Sequence, residues 1–303
     1  MNWSAGIDFG GSYLKAIALA ADGTVLLRSS CATADGANTA ADWAQPARAA
    51  LASFTCTQAS SPSSIGVCAP GLAAADGRSI AHLPGKLSGL AGVDWTTALG
   101  QTSSVPVLND AHAAILGEAA IGAARGRRHV VMLTLGTGVG GAVISDGRLL
   151  RGAIGRAGHI GHLSLDPDGP LSIVGMPGAI EVMIGDCTLA ARSGGRFTRT
   201  AALVAAHLAG DADATAIWLR SVRALGFALA SCINLFDPEV IVLGGGIAQA
   251  GDALFVPLRA ELDRIEWRPG GHRVPVIPAS LGEWAGAIGA AWHATHRDSP
   301  SSA

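Results

Sequence analysis

The chain reads as an α/β protein of two domains with mixed sheets, and three observations point there. A unit of strand, glycine loop, strand, Asp-Gly turn and strand occurs twice. It runs first from Gly6 through Asp8-Phe9-Gly10-Gly11-Ser12 to Val25-Leu26-Leu27. It recurs roughly 128 residues later, from Leu133 through Gly136-Thr137-Gly138-Val139-Gly140-Gly141 to Arg148-Leu149-Leu150. Duplication of this kind marks two related halves. The length of 303 residues, 49% apolar and 15% charged, suffices for two cores. Finally, strand-length apolar runs such as 64–69 and 238–243 are interleaved with stretches of helical period.

Taken in order, Asp8 ends a first strand. Asp22-Gly23 between apolar runs signals a hairpin, and Ala40 to Thr57 reads as a helix with Pro46 disturbing its early turns. Ser64 to Ala69 is a short strand ending in the turn Pro70-Gly71, and His82 to Lys86 is a loop. Val105 to Leu108 is a strand stopping at Asn109-Asp110, with a helix from Ala111 to about Ala124. A polar pair at the C-terminal end of a strand is where open α/β sheets place ligands, although Asn and Asp also cap helices. After Glu181 the chain reads as helical to about Asp237, with a core stripe of Leu219, Val222, Leu225, Leu229 and Ile233. A buried strand, Pro238 to Leu243, then meets Gly244-Gly245-Gly246. Trp284 to His296 is a last helix, and Arg297 to Ala303 a frayed tail.

Bulk properties exclude several functions. A formal net charge of −2 offers no basic field for nucleic acid. No apolar run approaches the ~20 residues that span a bilayer, and the N-terminus reaches a glycine turn too soon for a signal peptide. Cys31, Cys56, Cys68, Cys187 and Cys232 are scattered, odd in number and without C-x-x-C spacing. Free thiols in a reducing, cytoplasmic setting follow.

The chemistry sits in the glycine loops and in the stretch directly behind the second one. Glycines let backbone N–H groups approach an anion, so Gly10, Gly11 and Ser12 with Gly136, Thr137, Gly138 and Gly140 read as two phosphate loops. Behind the second loop, Gly158-His159-Ile160-Gly161-His162 and Glu181 supply polar groups suited to a hydroxyl-rich ligand. Phosphate loops followed by a hydroxyl-binding cluster outline a sugar kinase. Asp110 is then the general base, with Asn109 beside it for a ring hydroxyl. Asp8 is placed to orient Mg²⁺-bound water, and Lys15 to act electrostatically.

These motifs, in this order, resemble the ROK family of the actin/hexokinase-like ATPase superfamily, over about Gly6 to His293. Asp8-Phe9-Gly10-Gly11-Ser12-Tyr13-Leu14-Lys15 is similar to D-x-G-G-T-x-x-K. Asn109-Asp110-Ala111-His112-Ala113-Ala114 with Gly117-Glu118 is similar to N-D-A-N-x-A-x-x-G-E. The resemblance implies a two-domain fold with a central nucleotide and sugar cleft. The small domain would hold 1–118 plus 284–303, and the large one 119–283. It implies ATP and Mg²⁺ as cofactors, adenosine contacts at Gly244, Gly245 and Gly246, and sugar contacts at His162 and Glu181. Gly71 is assigned to the same sugar-binding group, and His82 and Lys86 lie where the family approaches its sugar. A homodimer is the common assembly of relatives.

Two departures stand out. The family's A-G-E-x-G-H reads Ala157-Gly158-His159-Ile160-Gly161-His162 here. A neutral imidazole cannot accept two hydroxyl protons as a carboxylate does, and a protonated one repels a cationic amino group. The zinc motif C-x-C-G-x-x-G-C-x-E keeps Gly175, Gly178 and Glu181, but Ser172, Val174 and Ala179 fill the cysteine positions. No structural zinc is expected, with Val174, Met176 and Ala179 packing the loop instead. The expected activity is transfer of the γ-phosphate of ATP to the 6-hydroxyl of a hexose, glucose by default. An amino sugar (N-acetylglucosamine, N-acetylmannosamine or 3-amino-3-deoxyglucose) is the alternative acceptor. A non-catalytic sugar sensor or repressor is the alternative of another class.

Overall fold

A computed structural model describes residues 2–33, 39–83, 85 and 87–296. Pro84 and Lys86 of the expected loop, and the expected tail 297–303, lie outside the described residues. The chain opens with three strands joined by tight turns: β1 (Trp3–Phe9), β2 (Tyr13–Ala20) and β3 (Val25–Ala32). Helix α1 (Ala40–Gln58) follows, started by a capping box between Thr39 and Asp42. It runs unbroken past Pro46, so the expected disturbance is absent. Next come β4 (Ser64–Ala69), β5 (Leu72–Ala73), β6 (Ile80–His82), α2 (Trp95–Ala98), β7 (Val107–Asn109) and α3 (Asp110–Ile121). His82 therefore ends a strand paired with Leu72, where a loop was expected.

The remainder begins with β8 (Val130–Leu135), β9 (Val139–Ser145) and β10 (Arg148–Leu149). Helices α4 (Ile180–Ile184), α5 (Leu189–Arg192), α6 (Thr200–Leu208) and α7 (Ala212–Phe236) follow, then β11 (Val240–Gly244), α8 (Asp252–Ile265), β12 (Val276–Pro278) and α9 (Ala285–Thr295). The single helical stretch expected after Glu181 is thus broken three times, near Gly185, Gly194-Gly195 and Gly210. Two of these breaks hold left-handed glycines: Gly194 and Gly195 (φ 61° and 85°) and Gly210 (φ 86°).

Residues 1–126, 147–157 and 280–303 form one compact unit, and 127–146 and 158–279 another. In the first, the sheet order is β3-β2-β1-β4-β7, with β1–β2 antiparallel and β1–β4 parallel. In the second, β9-β8-β11-β12 are neighbours in that order, again with an antiparallel hairpin and then a parallel partner. The strand order β2-β1-β4-β7 is repeated strand for strand, which is the duplication seen in the sequence.

Each unit has its own core. That of the first gathers Trp3, Ile7, Phe9, Trp43, Phe54 and Trp95, with the Phe9 and Trp95 rings stacked 4.4 Å apart. In the second, Val222, Leu225, Leu229 and Ile233 of α7 are buried as expected, but Leu219 is exposed and Trp218 takes the core position. Length and composition would let α7 cross a membrane, a property not expected from the sequence. Here the helix supplies the core of the second unit.

Helix α9 is wedged into the first unit through small residues. A Cβ on Gly289 would lie 1.7 Å from the carbonyl oxygen of Ala113 in α3, and one on Gly6 of β1 would lie 1.8 Å from that of Ala287. Backbone cannot yield as a flexible side chain can. Gly289→Ala is expected to cost about 3 kcal/mol, lowering the thermal midpoint by roughly 6–12 °C. A midpoint within about 2 °C of wild type would show that this crossing is not tight.

Candidate active site

In the first unit the ends of three strands line up. Asp8 of β1 is in register with Cys68 of β4, and β4 in turn pairs with β7, whose last residue is Asn109. Asn109 is the N-cap of α3: its Oδ1 accepts from the N–H groups of Ala111 and His112 at 2.9 and 3.2 Å. Its Nδ2 donates to the Gly71 carbonyl at 2.8 Å, and the side chain also bonds the neighbouring Asp110 carboxylate. Gly71 itself has φ 97° and would drive a Cβ to 2.4 Å from the His82 carbonyl. It therefore shapes the turn that Asn109 holds.

Asp110, in the first turn of α3, accepts from the Ala111 N–H at 2.8 Å through Oδ1. Burial pushes its carboxyl above the usual carboxylate range, against the pull of that backbone bond and of Asn109. Burial raises Asp8 further, to about 7, with the Asp110 charge adding to the effect and Lys15 and Cys68 opposing it. Lys15 faces Asp8 across the β1–β2 hairpin and pairs with Glu283 at 3.3 Å. A Cβ on Gly286 of α9 would come within 2.7 Å of Asp8 Oδ2. Two poorly neutralised carboxyls in one place suit a divalent cation. Asp8 and Asp110 would be the carboxylates of this unit available to a divalent cation.

The first glycine loop is tied at its edges. The Gly10 N–H donates to the Tyr13 carbonyl at 2.9 Å, and the Thr33 hydroxyl donates to the Gly10 carbonyl at 2.8 Å. Gly11 and Ser12 are exposed at the tip.

In the second unit, the N–H groups of Asp186 and Cys187 hold the Gly136 and Thr137 carbonyls at 3.0 and 2.8 Å, and Thr137 is exposed. Gly138 comes within 3.0 Å of Glu181 Oε2, measured from where its Cβ would be. Gly140, expected in the loop, lies instead within β9, opposite Thr134. Gly244 ends β11. Gly245 is left-handed, and a Cβ there would meet the Leu135 carbonyl at 2.3 Å, so close packing accounts for it. Gly246 faces open space.

His159, His162 and Glu181 come together in this unit. The two imidazoles are near-parallel, with centroids 6.2 Å apart. His162 Nδ1 stands 3.5 Å from Glu181 Oε1, and neither buried atom has a hydrogen-bond partner among the described residues. Buried polar atoms are almost always satisfied. A ligand hydroxyl can donate to the carboxylate and accept from the imidazole at once.

The residues at the zinc-motif positions do not fit a metal. Ser172 Oγ instead accepts from the N–H groups of Val174 and Met176, at 3.3 and 3.2 Å. Backbone bonds from Ser172 to Met176, Gly178 to Pro170 and Ile180 to Leu163 close the loop. The expected packing is corrected here. Ala179 is buried, but Val174 and Met176 are 52% and 41% exposed, so hydrogen bonds hold the loop.

The sequence profile of the ROK family matches residues 4–297. The chain belongs to the ROK family. Its fold is the two-domain fold of the actin/hexokinase-like ATPases. Among ROK relatives, the N-acetylmannosamine kinase of Escherichia coli strain SE11 is 32% identical over 292 residues, 94% of this chain and 96% of that protein. A glucokinase of Thermotoga maritima is 37% identical over 205 residues, 60% of this chain; the chain spans 63% of that relative's length. A ROK glucokinase of Streptomyces griseus, solved with glucose and AMPPNP, superposes with a TM-score of 0.80 at 28% identity, covering 97% of this chain and 99% of that one.

Sequence reasoning passed over His112, which is 2% exposed and bonds through Nε2 to the Ala157 carbonyl at 3.1 Å. Its signal was present: it stands where the ROK motif N-D-A-N has its second Asn. Cys68 beside Asp8 was missed as well. No spacing rule brings those two strands together.

Proposed function

We propose that this protein is an ATP-dependent sugar kinase acting on the 6-hydroxyl of a hexose derivative, with an N-acylated hexosamine as preferred acceptor. The carrying observation is Asp110, a half-buried carboxylate whose desolvation raises its pKa, with one oxygen fixed by the helix start. Such a group accepts the hydroxyl proton as the new O–P bond forms. Asn109 holds the Asp110 carboxylate in place, and within the second unit His162 and Glu181 can bracket a ring hydroxyl. The two glycine loops present backbone N–H groups to the phosphates. Mg²⁺, when bound with ATP, neutralises phosphate charge. AMPPNP in the Streptomyces griseus glucokinase supports ATP as donor.

Two findings favour the acylated acceptor. The N-acetylmannosamine kinase aligns with this chain nearly end to end. And where ROK proteins carry a glutamate, His159 can donate a hydrogen bond to an acyl carbonyl, which a carboxylate cannot. Glucose is the second reading, favoured by the glucokinases at higher local identity and by the glucose-bound structure.

ADP release should be followed across glucose, mannose, glucosamine, N-acetylglucosamine and N-acetylmannosamine. An N-acetylated sugar is expected to exceed glucose in kcat/KM by about tenfold, and His159→Glu to reverse that ratio by a similar factor, the worth of about one hydrogen bond. Preference for glucose in the wild type, with the ratio unmoved in the variant, would sink the acylated reading and leave glucose.

A further inference from the structure

The chain passes between its two units at 126/127, 146/147, 157/158 and 279/280. Helix α3, which begins with Asp110, holds the first-unit ends of several of these passages. Glu118, fully buried, accepts from the Ala123 N–H at 2.7 Å, from the Ser280 N–H and hydroxyl at 3.0 Å each, and from the Leu281 N–H at 2.8 Å. It thereby fixes the chain just before it leaves at 126 and just after it returns at 280. His112, in the first turn of the same helix, bonds the carbonyl of Ala157, the last residue before the chain leaves again.

Directly after Ala157 comes the sugar-recognition segment. Gly158 is left-handed (φ 83°), and its Cβ would press to 3.1 Å on Ala142 of β9. Gly161 would press to 1.8 Å on the Val139 carbonyl. Residues 158–161 are thus seated on β9 within the second unit, and His159 and His162 ride on them. On the first-unit side, residues 151–157 form a loop closed by the Ala157 N–H donating to the Arg151 carbonyl at 3.1 Å. That loop is not fully packed. A cavity of about 100 Å³ lies beside it, with Leu108, His112, Arg151, Gly152 and Gly155 in its wall.

We infer that His112 is a positioning residue for sugar recognition: from the helix of the general base, it fixes the point from which the His159–His162 segment starts. The inference rests on the sugar-kinase reading. Position 112 in this chain is what the function has not otherwise used. The imidazole must present an Nε2–H to the carbonyl, so a side chain with a donor at similar reach can replace it and an apolar one of similar volume cannot.

The test compares His112→Leu with His112→Gln in the full chain, using the best sugar of the panel. His112→Leu is expected to raise the sugar KM about tenfold or more, with ATP KM and kcat within about threefold; His112→Gln should recover most of the loss. Trypsin cleavage at Arg151 and Arg156 should run at least about fivefold faster in His112→Leu and near the wild-type rate in His112→Gln. Three results overturn the inference: an unchanged sugar KM and cleavage rate in the Leu variant, no recovery in the Gln variant, or equal rises in both KM values with a fall in thermal midpoint. If the wild type turns over no sugar, the kinase reading fails. The cleavage comparison then decides the positioning role alone, and no acceleration in the Leu variant rejects it.

Discussion

Asp110→Asn is expected to lower kcat about a thousandfold while leaving the fold intact. The substitution is isosteric and keeps an oxygen for the Ala111 N–H that holds Asp110 in place. It removes the one property the reaction needs, the ability to take a proton from the attacking hydroxyl. General-base assistance contributes about 10²–10⁴ in rate. Because burial raises the Asp110 pKa, the ionised form proposed as the base is lost at a higher pH than for an ordinary aspartate. The wild-type kcat/KM should therefore fall on the acid side from an unusually high pH, and that limb should vanish in the variant. A kcat within tenfold of wild type would remove Asp110 from the base role.

Asp8→Asn should separate stability from activity. The Asp8 carboxyl is raised from 3.8 to about 7 in the folded protein, chiefly by burial and then by Asp110. The folded chain therefore holds a proton that the unfolded chain releases. The associated stability is complete below about pH 3.8 and lost as the pH rises through about 7. At pH 8 the wild type contains an ionised, poorly compensated carboxylate, and the amide does not. The variant should be more stable at pH 8 by an amount on the order of 2–4 kcal/mol, with the difference fading towards pH 4. If Asp8 helps hold Mg²⁺ as proposed, the variant's kcat should fall at least about a hundredfold. Urea midpoints of metal-free protein at the two pH values, with kcat measured in MgATP, provide the check. A variant less stable than wild type at pH 8 would mean that Lys15 compensates the charge fully.

The legible parts of this chain were those written in local chemistry. Asp22-Gly23 and Asp146-Gly147 force hairpins, so the duplicated strand units could be found by eye, and they became matching strand orders in the two sheets. Asn109 and Asp110 were legible as a pair, but not in their division of labour. Asn109 takes the cap and Asp110 accepts from the Ala111 N–H, a choice set by the backbone at the end of β7. Long-range ties were not legible. No pattern in residues 147–157 says that they return to the first unit, or that Glu118 gathers four bonds from chain 5 and about 160 residues away. Helical period carried the stretch after Glu181 too far, because an apolar stripe continues across glycine breaks that interrupt the backbone. In the loop that lacks cysteines, hydrophobicity suggested packing. Ser172 supplied hydrogen bonds, leaving Val174 and Met176 outside.

The central claim, that this protein phosphorylates a sugar, is tested most directly by identifying the product. The wild-type protein should be incubated with MgATP and ¹³C-labelled N-acetylmannosamine or glucose, and followed by ³¹P and ¹³C NMR. A phosphate ester coupled to C6, growing in step with ADP, is the predicted result. Sugar bound to the protein with no sugar phosphate formed would contradict it and make the molecule a sensor.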